Sequence, residues 1–474
     1  MSNYWIKSGI FSLLDRLTGV LFGFGGVYLL LRGLSKADFG VWTLFLTVNA
    51  IFEMARIGLI QNALIKYTAS EENAAIRPTI NTASLALNTI VTAANIGLFL
   101  ISAPILAYIW RSPEIAPMLY LCAITTVLLL PLSQCNFIQQ AHFDFAAPFW
   151  ASLTRQGSFF AYLLYCHFTQ QTLTLYELAV LNTVTTLLAA IVAVVLCRRY
   201  WNFAPHIDWQ WLRTLFNFGK YVFGTNLSSM IHKNVDKIML GSLAGTASVA
   251  VYDLAIRINN LIEIPTLSIA AIVFPKSAQK IDTEGKPAIK ALYEQSVGVM
   301  LALIIPAAIL VVFFAEPIVQ IIAGEKYLDA VPILRLTILF SLLLPFGMQF
   351  GTTFDAIGKP RTNFYMVLFS TLLNALLNYF FIQRWGIYGS VYATLITLSV
   401  GFVVTQILVY RELNANPLQS FWHIKTVYAA IWQMLRRQLS TRDPIPIEPS
   451  TVPPNNIPSK TVAAKTENSI ATQQ

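Results

Sequence analysis

The side chains best suited to chemistry in this sequence lie where a charge is costly to keep. Between Phe216 and Pro265 two long apolar stretches are joined by the small-residue link 241–247. The first carries Lys233, Asp236 and Lys237; the second carries Asp253, Arg257 and Glu263. Asn226, Ser229, Lys233 and Asp236 recur every three or four positions, as do Asp253, Arg257 and Asn260, so each set shares one helical face. Either stretch reaches the length of about 20 residues that a membrane crossing needs. Charge at the centre of such a helix costs roughly 2.5–3.5 kcal/mol per residue on insertion scales. Groups kept at that cost face one another or a wet cavity, which makes them binding or coupling candidates. The plainer alternative is a charge-paired seam that holds no ligand.

The same pattern recurs near the N-terminus. Ser8, Ser12, Asp15, Gly19, Gly23 and Gly26 follow helical spacing with Arg16 beside them, and Asn49, Glu53 and Arg56 form a second stripe. Arg155 and Arg335 are isolated basic residues in further apolar stretches. The candidate substrate contacts are Arg16, Arg56, Arg155, Lys233, Lys237, Arg257 and Arg335. The candidate charge partners or coupling groups are Asp15, Glu53, Asp236 and Asp253. With Glu263 and Asp355 the acids nearly balance the bases, so sequence alone leaves the charge of a cavity undecided. Arginine suits a bidentate grip on a diphosphate. Other chemistries lack their residues. Cys122, Cys135, Cys166 and Cys197 have no paired spacing, the five histidines are isolated, and no P-loop, HExxH or GxSxG occurs. No metal or organic cofactor is expected, and the chain reads as a carrier rather than an enzyme.

These groups must be held by membrane helices. The chain of 474 residues is 56% hydrophobic and only 12% charged, far from soluble composition. Its formal charge of +9 sits in short clusters between apolar spans, which argues against nucleic acid. Twelve spans are expected, roughly 9–31, 39–60, 80–108, 115–138, 145–168, 174–197, 215–240, 248–275, 292–314, 329–351, 363–382 and 387–410. Lys and Arg concentrate in the links after even-numbered spans, which places both termini in the cytoplasm. Ala37-Asp38-Phe39-Gly40-Val41-Trp42-Thr43-Leu44 recurs as Ala247-Ser248-Val249-Ala250-Val251-Tyr252-Asp253-Leu254, and Leu128-Leu129-Leu130-Pro131 as Leu342-Leu343-Leu344-Pro345. The expected architecture is all-α: two six-helix lobes, 1–200 and 201–412, related by a pseudo-twofold axis along the membrane normal around a central cavity. Residues 413–439 read as an interfacial amphipathic helix and 440–474 as a disordered cytoplasmic tail.

Four segments carry a family resemblance: Leu34 to Trp42, Val235 to Gly241, Val251 to Ala255 and Gly386 to Thr394. They resemble the polysaccharide-transporter family of bacterial inner membranes, flippases of the multidrug/oligosaccharidyl-lipid/polysaccharide exporter superfamily. The resemblance spans roughly residues 5 to 410. It implies a V-shaped pair of lobes and alternating access that carries an undecaprenyl-diphosphate-linked oligosaccharide to the periplasmic leaflet. It also implies coupling to H⁺, Na⁺ or membrane potential, and as partners the membrane lipids, a polysaccharide polymerase and a chain-length regulator. Twelve spans rather than fourteen favour the O-antigen, capsule or exopolysaccharide branch over lipid II flippases. Two other readings compete. A cation-coupled multidrug exporter of the same superfamily would need an acidic, aromatic cavity. A membrane glycosyltransferase would need a long external loop bearing carboxylates.

Overall fold

The computed structural model describes residues 2–283 and 285–440, and over these the chain is helical throughout, with no strand. Twelve long helices follow in order. They are α1 (Ser2–Gly33), α2 (Lys36–Ala69), α3 (Arg77–Ile109), α4 (Ile115–Ala141), α5 (Ala146–Thr169), α6 (Leu175–Cys197), α7 (Trp209–Leu243), α8 (Thr246–Thr283), α9 (Gly285–Phe313), α10 (Ala330–Ala356), α11 (Pro360–Trp385) and α12 (Ile387–Leu413). The chain is a polytopic membrane protein. Among the described residues nine of these helices are long and apolar enough to cross a bilayer. The three that fall short in apolarity are α5, α7 and α8, the helices holding Arg155, Lys233 to Lys237 and Asp253 to Arg257.

Local chemistry sets several boundaries. The Ser35 hydroxyl accepts the Asp38 amide at 3.1 Å and caps α2, and Asp38 complements the positive end of that helix. Thr174 and Glu177 form a reciprocal capping box at the start of α6. α2 passes through a π turn at Ile57–Gln61 before resuming as Asn62–Ala69. The basic stretch expected as a link after residue 275 is instead helical, because α8 runs to Thr283 and α9 starts at Gly285.

Helix pairing repeats with an offset of six. α1 packs on α5, α3 on α4, α4 on α6 and α5 on α6; correspondingly α7 packs on α11, α9 on α10, α10 on α12 and α11 on α12. One apolar core joins both halves at the end of the bundle that holds the α1–α2, α7–α8 and α9–α10 links; we call it the distal end. This core includes Phe39, Phe45, Trp110, Leu240, Leu254 and Leu334. A separate core around Tyr293, Phe346 and Phe350 belongs to the second half alone.

The two seams between the halves differ. α2 lies against both α7 and α8. A Cβ on Gly40 would fall 1.8 Å from the Thr246 carbonyl oxygen, and one on Gly219 would fall 2.1 Å from that of Leu59. Contacts this close at both ends of α2 admit only glycine. α1 packs on α5 and reaches the second half through the short helix Ala315–Ala323; among the described residues it has no substantial packing on α8. Leu13, Leu17, Val20 and Leu21 of α1 are correspondingly exposed. Among the described residues the α2–α7 seam is closed and the α1–α8 seam is open.

A thirteenth helix, α13 (Pro417–Ser440), matches the expected amphipathic segment. Its start docks on protein: Phe421 meets Phe346 at 6.2 Å, and the Asn416 amide donates to Glu294 at 2.9 Å. Residues to Val427 belong to one compact unit; from Tyr428 the chain forms a second, where the helix continues to Ser440. Of the expected tail, 440–474, Ser440 still belongs to this helix, and residues 441–474 lie outside the described residues.

Candidate functional site

Asp253 is the centre of the polar seam. It is fully buried on α8, where a lone carboxylate would be very costly. Two cations offset that cost: Lys237 Nζ from α7 at 2.7 Å and Arg257 Nε, one turn along α8, at 2.5 Å. The Thr43 hydroxyl of α2 donates to the same carboxylate at 3.4 Å across 210 residues. Thr43 and Asp253 occupy equivalent places in the repeated octapeptides, so the repeat brings its own two copies into contact. Thr43 was missed as a candidate, although that alignment sets it opposite Asp253.

Arg257 is a third exposed and turns toward a cavity of about 300 Å³. The cavity lies in the open seam, between Gly23 and Gly26 of α1, Trp42 and Leu46 of α2, Arg155 and Gln156 of α5, Asn182 of α6, and Arg257 of α8. The glycines of α1 leave the room that the sequence suggested. Arg155 donates to Asn182 Oδ1 at 3.5 Å. The cavity thus receives one guanidinium from each half of the molecule. Lys237 shares Asp253 with Arg257, so the carboxylate cannot cancel both. The near balance counted along the chain resolves locally into Lys237 and Arg257 on Asp253, with Arg155 facing the cavity and Glu53 near enough to feel its charge. Trp42 adds an aromatic wall, stacked on Phe159 with centroids 6.1 Å apart. Trp42, Gln156 and Asn182 were also missed, since single aromatic and amide residues look like ordinary helix packing.

The other candidates are distributed differently. Arg56 is 1% exposed and locked inside the first half: it pairs with Glu53 at 3.4 Å and donates to Thr92 at 3.0 Å and to the Thr126 carbonyl at 3.3 Å. It does not line the cavity, contrary to the sequence expectation. Arg335 is exposed and donates to the Val312 carbonyl at the end of α9, so it is a helix-terminus cation rather than a cavity group. Lys233 is exposed and lies outside the cavity. Arg16 is exposed, seven residues before Gly23 and therefore on the same face of α1 about two turns below the cavity. Asp15 keeps one buried carboxylate oxygen with no partner among the described residues.

Asp236 forms a second buried centre, inside the second half. Its carboxylate accepts from Asn378 Nδ2 at 2.6 Å, Tyr252 Oη at 2.8 Å and Thr394 Oγ1 at 3.1 Å. These donors are neutral, and no described lysine or arginine pairs with it. Asn378 also donates to Asn374 Oδ1 at 3.0 Å, while Asn378 Oδ1 and Ser390 Oγ are buried without a partner among the described residues. Several oxygens therefore converge on one carboxylate.

At the distal end the halves are latched. Lys36 pairs with Asp329 at 2.6 Å, Arg32 donates to the Ile321 carbonyl at 2.9 Å, and Lys326 donates to the Leu34 carbonyl at 2.5 Å. Lys36 and Lys326 both lie over the Tyr327 ring. Burial, and then the charge of Lys36, hold the Lys326 ammonium below the usual lysine range. The open seam is thus tied at its distal end.

Comparison with known proteins agrees with this architecture. A family model described as "Polysaccharide biosynthesis protein" matches residues 29–332. A probable low-salt glycan biosynthesis flippase, Agl15 of Haloferax volcanii, is 25% identical over 46% of this chain and 44% of its own length. The chain spans about half the length of the curated relatives it matches. Among solved structures, an inward-facing multidrug resistance MATE transporter of the MOP superfamily superposes with TM-score 0.69 at 16% identity, covering 86% of this chain and 95% of that one. The lipid II flippase MurJ, in an inward closed conformation, superposes with TM-score 0.69 at 14% identity, covering 93% and 94%. Both share the fold.

Proposed function

Since the chain belongs to the polysaccharide biosynthesis protein family, we propose that it is a flippase that carries a lipid-linked oligosaccharide across a membrane by alternating access. The observation that carries the reading is the placement of Arg155 and Arg257, from opposite halves, on one cavity in the open seam. Guanidinium pairs grip phosphoryl oxygens with fixed geometry. A diphosphate bridging these two would couple cargo binding to the relative position of the halves. The open seam lets the lipid tail remain in the bilayer while the head group enters. The cargo we infer is an undecaprenyl-diphosphate-linked repeat unit, the membrane a bacterial inner membrane, and the termini cytoplasmic, so that the distal end faces outward. A cationic drug would meet the guanidinium groups of Arg155 and Arg257 in a cavity lined by no described carboxylate, which disfavours the exporter alternative.

For the coupling ion we propose Asp236, which has oxygen neighbours and no fixed cation; it would take H⁺ or Na⁺. Asp253 is committed to Lys237 and Arg257 and is better suited to a structural role.

The test is complementation of a strain lacking its own repeat-unit flippase, with surface polysaccharide and membrane expression both measured. Arg155→Ala and Arg257→Ala should each abolish most surface polysaccharide at normal expression, and Arg257→Lys should restore part of it. Normal polysaccharide in both alanine variants would overturn the assignment.

A further inference from the structure

A second and larger cavity, of about 670 Å³, lies at the opposite end of the first half from the latch. It is built where α1 begins, where α4 passes into α5 and where α6 ends, so it sits at the level where apolar helices give way to links. That is the depth of lipid head groups. Its outer wall is apolar and exposed: Phe143 is 52% exposed, Trp150 49% and Val195 49%. Phe143 is held outward by a left-handed backbone at φ 58°, which a non-glycine residue adopts only against steric resistance.

The polar part of the lining is basic and tied together. Arg199 forms an ion pair with Asp144 and lies 4.7 Å over the ring of Tyr200, whose hydroxyl also donates to Asp144 at 3.3 Å. His142 also stacks on the Tyr200 ring, with centroids 4.7 Å apart. Asp144 is thereby consumed by Arg199 and Tyr200. The neighbouring Arg198 lines the same cavity, and no described side chain pairs with it. The cavity lining thus includes an exposed guanidinium that no described side chain pairs with, beside the rings of Phe143 and Trp150.

We propose that this cavity binds the phosphoryl head group of a membrane lipid, with Arg198 as its anion contact and Phe143 and Trp150 against the first carbons of the acyl or prenyl chain. An unpaired arginine matches a phosphoryl oxygen pair, and interfacial aromatics match the glycerol–acyl boundary. The site is separate from the central cavity, since none of its lining residues is shared with that cavity.

The experiment is native mass spectrometry of the full-length protein released from detergent, titrated separately with phosphatidylglycerol, with diacylglycerol and with undecaprenyl diphosphate. Wild type should retain phosphatidylglycerol well above diacylglycerol, which lacks the phosphoryl group. Arg198→Glu should lower that retention by at least about fivefold, the worth of losing one basic residue near an anionic head group before the added repulsion is counted. Trp150→Ala should lower it as well, and Arg213→Glu, an exposed basic site outside the cavity, should leave it unchanged. If undecaprenyl diphosphate displaces phosphatidylglycerol in wild type and not in Arg198→Glu, the occupant is the cargo lipid and the site is its landing point. Equal retention of diacylglycerol and phosphatidylglycerol, or equal losses in Arg198→Glu and Arg213→Glu, would overturn the proposal.

Discussion

Replacing Asp253 with Asn tests the polar seam most directly. The carboxylate is fully buried and holds Lys237 at 2.7 Å and Arg257 at 2.5 Å. Asn keeps the shape and removes the charge, so two cations remain on a helix seam with nothing to neutralise them. Removing one partner of a buried pair costs about 3–5 kcal/mol. Arg257 is a third exposed and can be rehydrated from the cavity, whereas Lys237 is only 16% exposed. The cost should therefore fall at about 3 kcal/mol. At roughly 2 °C per kcal/mol for a chain of this size, the unfolding midpoint in detergent should drop by about 6 °C. Lys237→Met in the same chain removes the stranded cation and should recover more than half of that loss. A double-mutant cycle by thermal unfolding of purified protein measures both quantities. If Asp253→Asn melts with wild type, or if Lys237→Met adds its own loss to that of Asp253→Asn, the carboxylate is not the anchor described here.

Three further outcomes can be checked. Gly40→Ala places a methyl 1.8 Å from a backbone oxygen, so it should cost about 3 kcal/mol or block folding; unchanged thermal stability together with normal expression would contradict the close α2–α8 crossing. Lys36→Asp should loosen the distal latch, seen as a broader spin-label distance distribution between Thr172→Cys and Glu325→Cys. Adding Asp329→Lys should narrow it again, while stability moves by less than about 1 kcal/mol because the pair is exposed. Asp236→Asn should abolish the ion dependence of transport in proteoliposomes while leaving cargo binding within about threefold of wild type, a change of less than 1 kcal/mol; intact gradient dependence would move the coupling site elsewhere.

Much of the helical plan was legible because hydrophobic length is a one-dimensional signal. The twelve spans correspond to twelve long helices, and the octapeptide repeat aligned the starts of α2 and α8 well enough to set Thr43 opposite Asp253. What was hidden is three-dimensional. Arg56 and Arg155 both read in sequence as arginines inside apolar runs and as candidate substrate contacts. Arg56 is enclosed by Glu53, Thr92 and Thr126, while Arg155 donates to Asn182 and lines a cavity. Which partner a charge finds depends on helix rotation and crossing, and neither is encoded in local spacing. Asp236 was singled out as a charge partner, yet its partners are neutral and come from α8, α11 and α12. The latch escaped notice because Lys36 and Asp329 sit in links, where charges are expected and carry no signal.

The unequal seams have a consequence for any cargo with a long hydrocarbon tail. A pore enclosed on all sides would have to strip that tail from the membrane and wet it, at about 0.8 kcal/mol for every methylene. A slot fastened along one edge and parted along the other removes the need. Only the sugar-phosphate end has to traverse the slit, as a card's stripe passes a reader while the card stays outside, and the greasy remainder never changes solvent.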